Sequence, residues 1–360
     1  MNINIFEDLF VFEMSNNHWG NLDRGLKIIT DFSRIVRFNN IRAAIKLQLR
    51  DVDNFIHKDF LDRNDIRYIK KTLDTKMSDK GYETLVNAIK KGGCLTMATP
   101  FDEKSVDLCV NLGMHILKIA SSDINDWVLI EKIASAKKPV IVSTGGSSLK
   151  DIDDIVTFFT KRNIPIALNH CVSIYPSEHY ELELNQIDFL KNRYPDLTIG
   201  FSTHEYNETL ESSILIAYAK GARTFERHID INYEENPVSD YCSLPEDADK
   251  WIKAFYKARE ICGGSSVQRR LLPRKEIQYL DTLVRGVYAK KDLPEGHIIS
   301  EKDIYLAIPL QKGQISCREL MSGEVLLKAC KKDSPVMIDT IDSPYAENGT
   351  LKKLIYNRGL

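Results

Sequence analysis

Two neighbouring stretches, Thr198-Ile-Gly-Phe-Ser-Thr-His204 and Gly221-Ala-Arg-Thr-Phe-Glu-Arg-His228, each carry an apolar run that ends on a histidine. The helix-length segment 206–220 separates them, so the sequence predicts two adjacent parallel strands whose histidines lie at the same end. In a (β/α)8 barrel that end is the mouth, where active sites are formed. Two neutral imidazoles there would suit a divalent metal such as Mn2+ or Zn2+. In the alternative interpretation, each histidine is only the last residue of its strand, and its ring makes an ordinary structural hydrogen bond. The presence of two such histidines, with Glu226 two residues before His228, favours a metal site.

The composition excludes several classes of function. The 360 residues include 49 basic and 51 acidic side chains, so no surface for nucleic acid is predicted. The longest apolar runs have strand length and the N-terminus lacks the basic start of a signal peptide, so we expect no membrane association and a cytoplasmic location. The seven cysteines contain no C-x-x-C pair and are expected to be reduced. Cys171, at a predicted strand end, is kept as an alternative ligand or nucleophile.

Between residues 9 and 262, short apolar runs alternate with amphipathic helical stretches, which is typical of βα units. The predicted strands are Leu9–Met14, Ala43–Leu47, Cys94–Ala98, Ile116–Ala120, Val140–Ser143, Ile166–His170, Leu197–Ser202 and Arg223–His228. The predicted helices are Leu22–Phe38, Ile66–Leu73 with Tyr82–Lys90, Glu103–Leu112, Asp126–Ala136, Leu149–Thr160, Tyr180–Arg193, Asn207–Lys220 and Pro245–Cys262. Eight such pairs predict an α/β fold with a closed (β/α)8 TIM barrel. The charged, aromatic segment 51–80 is predicted to be an irregular loop over the barrel mouth.

The pattern changes after Cys262, where Gly and Ser residues in 263–270 indicate a linker, and residues 274–279 are expected to be helical. Short strand-like runs and turn signals follow, at Gly286–Lys290, Pro294–His297, Ile298–Ser300, Asp303–Ala307 and Pro335–Ile338. We predict a barrel domain at 1–265, a linker at 266–282, a small β-rich domain at 283–345 and a C-terminal tail at 346–360. The small domain has little core of its own, so we expect it to dock on a partner surface.

Lys46 and Lys118 lie inside predicted apolar strands, where an unpaired ammonium group would be costly. Several hydroxyl groups are expected at the same end of the barrel: Thr99, Ser121, Ser143, Ser173 and Ser202. Point charges with hydroxyl donors favour a site for a phosphate or a carboxylate. In the alternative interpretation, the two lysines pair with Glu13, Asp123 or Glu226 in a structural network.

Glu13 ends the first predicted strand among aromatic residues, and such a carboxylate can act as a general acid or base. It could instead cap the turn at 17–20. Asp240, in the loop after the eighth strand, is interpreted either as a ligand of a polyol or as an ordinary turn residue.

Eight motifs in this chain resemble, in order and spacing, those of the sialic acid synthase (nonulosonic acid synthase) family. The motifs are Glu13-x-x-x-Asn17-His18-x-Gly20, Lys46-x-Gln48, Ala98-Thr-Pro-Phe-Asp102, Lys118-Ile-Ala-Ser121, Ser143-Thr-Gly145, His170-Cys-x-x-x-Tyr175-Pro176, Ser202-x-His204 and Glu226-x-His228. Members of that family condense phosphoenolpyruvate with an N-acylated hexosamine. The resemblance covers the whole barrel, and residues 283–339 resemble, more weakly, the antifreeze-like (SAF) domain that follows it.

The resemblance implies that His204 and His228 hold a divalent metal, Mn2+ first and Mg2+ or Co2+ as alternatives, which polarises the aldehyde of the sugar. It implies a domain-swapped homodimer, in which the SAF domain caps the partner's active site. The residues matching the phosphoenolpyruvate site are Lys46, Thr99, Lys118, Ser121, Ser143, Ser202 and Ser173, the last at a position that is usually asparagine. The implied catalytic residues are Glu13, which delivers water, with Gln48 and Glu226. The positions around the sugar and metal are Gln48, Asp123, Tyr175 and Asp240.

Besides Ser173, three positions depart from the family pattern. Ile308 stands where the SAF domain usually has the arginine that reaches the N-acyl group of the sugar. Arg227 replaces a usual lysine, and Thr203 replaces a usual aspartate. The metal and phosphoenolpyruvate motifs are intact and the acceptor motifs are altered.

The expected function is therefore a metal-dependent synthase. It would join phosphoenolpyruvate to an aldose or N-acylated aminosugar, giving a 2-keto-3-deoxy acid and phosphate for surface glycan synthesis. One alternative is a metal-dependent barrel aldolase or isomerase that does not use phosphoenolpyruvate. The other is a non-catalytic glycan-binding protein built on a degenerate synthase.

Overall fold

A computed structural model of the chain describes residues 4–233, 237–264, 268–320 and 323–359. Eight parallel strands follow one another around a closed barrel, and the eighth pairs with the first. The predicted (β/α)8 barrel is confirmed. Its strands are β1 (Leu9–Ser15), β2 (Arg42–Leu49), β3 (Leu95–Pro100), β4 (Ile116–Ile119), β5 (Val140–Ser143), β6 (Ile166–Cys171), β7 (Thr198–Thr203) and β8 (Thr224–His228).

The helices that surround these strands largely match the predicted ones. They are α1 (Leu22–Asn39), α2 (Val52–Phe55), α3 (Arg67–Asp74), α4 (Asp79–Lys91), α5 (Glu103–Asn111), α6 (Trp127–Ser135), α7 (Leu149–Lys161), α8 (Asn185–Arg193), α9 (Leu210–Lys220) and α10 (Pro245–Cys262). The helix predicted from Tyr180 begins only at Asn185. Glu183 has a φ of 47°, in the left-handed region, and this interrupts the helix.

Alternation along each strand sorts side chains between two environments. In β1, Phe10 and Phe12 point outward into the core between strands and helices, where Phe10 meets the ring of Trp251 edge-on at 5.3 Å. Val11 and Glu13 point the other way, into the barrel interior. The same alternation places polar side chains of the other strands inside the barrel.

An apolar plug closes one end of the barrel interior. Its buried residues are Phe6, Leu9, Val11, Ala44, Met97, Ile116, Ile141 and Ala167. Gly200 belongs to β7 beside the side chains of Thr224 and Asn169; a Cβ atom at Gly200 would overlap both. The glycine therefore lets Thr224 donate its hydroxyl hydrogen to Asn169 inside the barrel. Polar layers of the interior lie between this plug and the barrel mouth.

The chain divides into two compact units, Met1–Gly263 and Gly264–Leu360. The second contains α11 (Arg274–Asp281), β9 (Gly286–Ala289), β10 (Ile304–Ala307), β11 (Val325–Leu326), β12 (Ile341–Asp342), α12 (Pro344–Glu347) and α13 (Gly349–Tyr356). Two antiparallel two-stranded sheets, β9 with β10 and β11 with β12, agree with the predicted small β-rich unit.

Several predictions for this second unit need correction. Residues 298–300 and 335–338 were expected to form strands, but they make only isolated bridges, such as Ile298 with Val325. The helix expected at 274–279, by contrast, is confirmed as α11, within a predicted linker of which residues 266–267 fall outside the described residues. Helix α13 lies in the predicted tail, and its Ile355 is buried in the core of the unit. Within the described ranges, no helix combines the length and the apolar composition needed to cross a membrane.

Candidate active site

Four buried charged side chains form a continuous row inside the barrel, which we call the ionic chain: Glu13, Lys46, Glu226 and Lys118. Lys46 Nζ lies 2.9 Å from Glu13 Oε2 and 2.9 Å from Glu226 Oε1. Lys118 Nζ donates to Glu226 Oε2 at 2.7 Å. Each lysine therefore has a carboxylate partner, and Lys46 joins two carboxylates.

The barrel register explains why these groups meet. Glu13 lies opposite Lys46 of β2 on one side and opposite His228 of β8 on the other. Glu226 is two residues from His228 along β8, so both point into the interior. Lys46 and Lys118 pair with Glu13 and Glu226, as the structural alternative proposed, and Asp123 is not one of their partners. An incoming anion would therefore have to exchange with these carboxylates.

The environment moves the pKa values of the two carboxyl groups in opposite directions. Burial is the largest influence on Glu13 and raises its pKa; the charge of Lys46 opposes this, and the negative charge of Glu226 adds to it, so that the pKa of Glu13 remains raised. Burial also disfavours ionisation of Glu226, but the charges of Lys118 and Lys46 outweigh it and hold the pKa of Glu226 low. Glu226 is thus the permanent anion of the ionic chain, whereas Glu13 is the group that can take up or release a proton.

The two histidines predicted as metal ligands lie side by side, with ring centres 5.2 Å apart. His204 is held through Nδ1 by the carbonyl oxygen of Val172 at 2.9 Å, which leaves Nε2 as its candidate ligand atom. Burial, with the neighbouring His204 and Lys46, lowers the pKa of His228 well below its usual value. The ring of Tyr175 packs against the ring of His204, with the two ring centres 4.0 Å apart.

These features fit a metal ion bound by neutral imidazoles. Within the described residues there is no group of three or more His, Cys, Asp and Glu side chains placed to hold a metal. The chain would therefore supply two ligands, His204 and His228, and leave the other positions to water or substrate.

Several predicted hydroxyl groups gather beside the ionic chain. Lys46 donates to Thr99 Oγ1 at 3.3 Å. Ser121 Oγ accepts from the backbone N–H of Gly145 at 3.1 Å, and a Cβ atom at Gly145 would collide with the hydroxyl groups of Ser121 and Ser173. Gly145, Ser121 and Ser173 therefore pack closely together. Ser143 and Ser202 are buried at the ends of β5 and β7.

The remaining predicted residues differ in how close they come to this centre. Gln48 donates from Nε2 to Glu13 Oε1 at 2.9 Å. Cys171 Sγ lies 3.8 Å from Ser121 Oγ. Burial raises the pKa of the Cys171 thiol, but a hydrogen bond with His204 and the charge of Lys118 lower this pKa to about 7. Asp123 is partly buried and Asp240 is exposed. Within the described residues, neither side chain forms an ion pair, and neither is hydrogen-bonded to His204 or His228.

Comparison with known proteins places this site in a family. The model of the NeuB family matches residues 40–266, which is most of the barrel. The chain belongs to the NeuB family. The resemblance to sialic acid synthases inferred from the eight motifs is therefore confirmed.

Individual proteins similar to this NeuB-family chain cover 76–93% of it. The crystal structure of a spore coat polysaccharide biosynthesis protein E from Chromobacterium violaceum has a TM-score of 0.89 at 33% identity, covering 93% of this chain and 100% of that one. The N-acetylneuraminic acid (sialic acid) synthetase of Leptospira borgpetersenii has a TM-score of 0.66 at 27% identity, covering 76% and 91%. The N,N'-diacetyllegionaminic acid synthase of Campylobacter jejuni is 26% identical over 337 residues, covering 90% and 97%.

Two of the departures from the family motifs in this NeuB-family barrel, Thr203 and Arg227, lie on the outer faces of β7 and β8. Arg227 Nη1 pairs with Glu205 Oε1 at 3.0 Å, and both side chains are buried. Ser213 Oγ donates to the same carboxylate at 2.6 Å. Thr203 is buried beside this region. Arg227 therefore supports the wall behind the histidines and does not enter the interior.

Replacing Arg227 with alanine is expected to lower the free energy of unfolding by about 3–5 kcal/mol, because Glu205 would remain buried without its counter-ion. Urea denaturation followed by circular dichroism measures this. The control is Arg193→Ala, whose pair with Asp153 is exposed and should contribute much less. Equal losses in the two variants would contradict a special role for the buried pair.

Sequence reasoning did not include Arg50 among the site residues. Its Nη1 donates to Gln48 Oε1 at 3.2 Å, which extends the ionic chain outward through Gln48 and Glu13. The signal was available in the spacing, because Lys46, Gln48 and Arg50 alternate along β2 and into the loop and so face the same side.

Proposed function

We propose that this NeuB-family chain condenses phosphoenolpyruvate with an aldose or N-acylated aminosugar, giving a 2-keto-3-deoxy acid and phosphate. Relatives named as synthases of legionaminic and sialic acids support it. The observation that carries the proposal is the ionic chain. It holds two carboxyl groups with oppositely shifted pKa values beside two histidines at the barrel mouth.

In the proposed reaction, C3 of phosphoenolpyruvate attacks the aldehyde carbon of the acceptor and forms the new carbon–carbon bond. C2 then carries positive character and accepts the oxygen of a water molecule, while Glu13 takes a proton from that water. The C–O bond to the phosphate breaks, and the phosphate leaves with the bonding electron pair. Of the two protons of the water molecule, one ends on the former aldehyde oxygen, which becomes a hydroxyl group, and the other on the released phosphate, which leaves a ketone at C2. Gln48 orients Glu13 through the 2.9 Å hydrogen bond to Oε1.

Binding of phosphoenolpyruvate would use the two lysines of the ionic chain and the hydroxyl groups beside them. Lys118 and Lys46 would move part of their hydrogen bonding from Glu226 and Glu13 to the phosphate or carboxylate of the ligand. Because the cations are already held in place, little ordering of the site would be needed.

A divalent ion would be held by His204 and His228. When bound, it supplies Lewis-acid polarisation of the acceptor aldehyde. The chain's own contribution is the orientation of His204 by the carbonyl of Val172 and the burial that keeps His228 neutral.

The proposal is tested by supplying phosphoenolpyruvate and Mn2+ with a panel of aldoses and N-acylated aminosugars, and measuring phosphate release and product mass. We expect phosphate release that depends on an acceptor, and a product whose mass equals that of phosphoenolpyruvate, the acceptor and one water molecule less that of phosphoric acid. N-acetylmannosamine is expected to be a poor acceptor, because Ile308 stands in place of the usual arginine and is exposed without any side-chain donor. A missing donor to a buried carbonyl costs about 1–3 kcal/mol, or roughly one to two orders of magnitude in kcat/KM.

The same assay separates the alternatives. A phosphoenolpyruvate-independent aldolase or isomerase would convert sugar without releasing phosphate. A glycan-binding protein would bind sugar and turn over nothing. Preference for N-acetylmannosamine over other acceptors would contradict the specificity argument while leaving the reaction type intact.

Replacing Lys118 with methionine is expected to raise KM for phosphoenolpyruvate by about ten- to a hundredfold, since a charge-assisted partner of a buried anion contributes about 1.5–3 kcal/mol. KM for the acceptor should change little. Initial-rate kinetics in both substrates measures this, with Lys132→Met as a control because Lys132 pairs with Asp107 on the outer helices. An unchanged KM for phosphoenolpyruvate would make Lys118 a structural partner of Glu226 only.

A further inference from the structure

Arg50 lies just past the end of β2, and aromatic rings hold its guanidinium group in place. The guanidinium carbon lies 3.6 Å from the ring centre of Phe101 and 5.6 Å from the ring centre of Phe55. The side chain is partly buried. Its Nη1 donates to Gln48 Oε1 at 3.2 Å, and within the described residues the side chain has no other hydrogen bond and no carboxylate at ion-pair distance. In this part of the chain, Arg50 therefore acts on one polar group, the amide of Gln48.

The Gln48 amide joins Arg50 to Glu13. Its Nε2 donates to Glu13 Oε1 at 2.9 Å, while its Oε1 accepts from Arg50. The backbone carbonyl oxygen of Gln48 is fixed separately, because the hydroxyl group of Tyr82 donates to it at 3.1 Å. On the other side, Lys46 Nζ lies 2.9 Å from Glu13 Oε2. Each oxygen of the Glu13 carboxylate therefore faces its own donor, and the donor on the Oε1 side is held in turn by Arg50.

The two ends of an amide group are chemically different, and this difference lets Arg50 fix the orientation of Gln48. A guanidinium group only donates hydrogen bonds, and an ionised carboxylate only accepts them. One orientation of the Gln48 amide therefore satisfies both Arg50 and Glu13. The reversed orientation would place the amide oxygen against the carboxylate and the NH2 group against the N–H groups of Arg50. Without Arg50, the amide would be free to turn away from Glu13 and bond to water.

We propose that Arg50 is a positioning residue, which fixes the Gln48 amide so that its Nε2 donates to the carboxylate of Glu13 throughout the reaction. The inference rests on the proposed function for the role of Glu13, and it adds a residue that acts on Glu13 only through another side chain. In the proposed binding of phosphoenolpyruvate, Lys46 moves part of its hydrogen bonding to the ligand. The Gln48 amide is then the donor that keeps Glu13 oriented towards the attacking water.

The test is a double-variant cycle, because a residue that acts through Gln48 should have no effect once the Gln48 amide is removed. We expect Arg50→Met to lower kcat about tenfold with KM for phosphoenolpyruvate nearly unchanged, since the orientation of Glu13 matters in the chemical step. Gln48→Met should lose at least as much, and adding Arg50→Met to it should lower kcat no further. Arg50→Lys keeps a donor and introduces no acceptor, so its kcat should exceed that of Arg50→Met.

Arg162→Met is the matched control. The guanidinium carbon of Arg162 also lies 3.6 Å from the centre of an aromatic ring, that of Phe158, but Arg162 is exposed and directly follows α7. This variant should keep the wild-type kcat. If the effects of Arg50→Met and Gln48→Met multiply in the double variant, Arg50 does not act through Gln48 and the inference is overturned. A raised KM with wild-type kcat in Arg50→Met would overturn it as well.

A second measurement needs no turnover. Hydrogen exchange of the Gln48 side-chain amide is followed by NMR in Mg2+-loaded protein carrying isotope-labelled glutamine, and the signal is identified by its loss in Gln48→Met. We expect exchange to be about tenfold or more faster in Arg50→Met than in the wild-type protein, and unchanged in Arg162→Met, since a hydrogen bond to a charged group is loosened only in the first. The other glutamine signals show whether each variant is folded. Equal exchange rates in Arg50→Met and wild type would overturn the inference, whereas failure of the condensation reaction would count against the proposed function alone.

Discussion

Replacing Glu13 with glutamine is expected to lower kcat by about 10²–10⁴, the usual contribution of a general acid or base. Glutamine keeps the shape and the contact with Gln48, but it cannot take a proton from water. Glu13 suits this role because burial raises its pKa, while Glu226 in the same ionic chain stays ionised. Steady-state kinetics measures the change, and the thermal unfolding midpoint shows whether the variant remains folded.

The pH dependence gives the same prediction a second measurement. With a raised pKa, Glu13 keeps its proton to higher pH than a free glutamate does, and the carboxylate is the form that accepts a proton from water. The value of kcat should therefore increase as pH rises through this pKa, and Glu13→Gln should lack that limb of the profile. A folded variant with wild-type kcat and an unchanged profile would show that Glu13 serves only as a partner of Lys46.

Complete removal of divalent ions is expected to abolish acceptor-dependent phosphate release, and Mn2+ or a similar ion to restore it, because Lewis-acid activation of the aldehyde contributes several kcal/mol. His204→Gln should lose both the activity and the bound ion, with metal content measured by mass spectrometry. His170→Gln is the matched control: His170 is also buried, but its Nε2 lies 2.8 Å from the carbonyl oxygen of Leu182, away from the pair. Full turnover by metal-free protein would contradict the prediction.

The barrel could be predicted from the sequence because two patterns agree for each strand: the alternation of side chains within the strand and the helix-length segment after it. Phe10 and Phe12 alternate with Val11 and Glu13, and a helix-length segment follows each strand. Helix ends were less predictable, as at Glu183, where a left-handed backbone conformation stops a favourable helical pattern. In the second unit, the short runs are too brief for local preference to decide between a strand and an isolated bridge.

For the site, the strand ends could be identified from the sequence, but the partners of their side chains could not. That Lys46 joins Glu13 to Glu226 depends on the pairing of β1 with β8, which are more than 200 residues apart along the chain and adjacent only in the closed barrel. The same limit hid the surroundings of Arg50, because its contact with Phe101 joins the ends of two strands.

The pairing of the first strand with the last also affects how the protein is made. During synthesis, Glu13 emerges from the ribosome long before Glu226 and His228, and no shorter product of translation can contain the ionic chain. Until β8 is synthesised, Lys118 lacks its carboxylate partner Glu226, and Lys46 has only Glu13. Assembly of the catalytic groups and final closure of the barrel are the same event, so enzymatic activity in a refolding experiment would report ring closure directly.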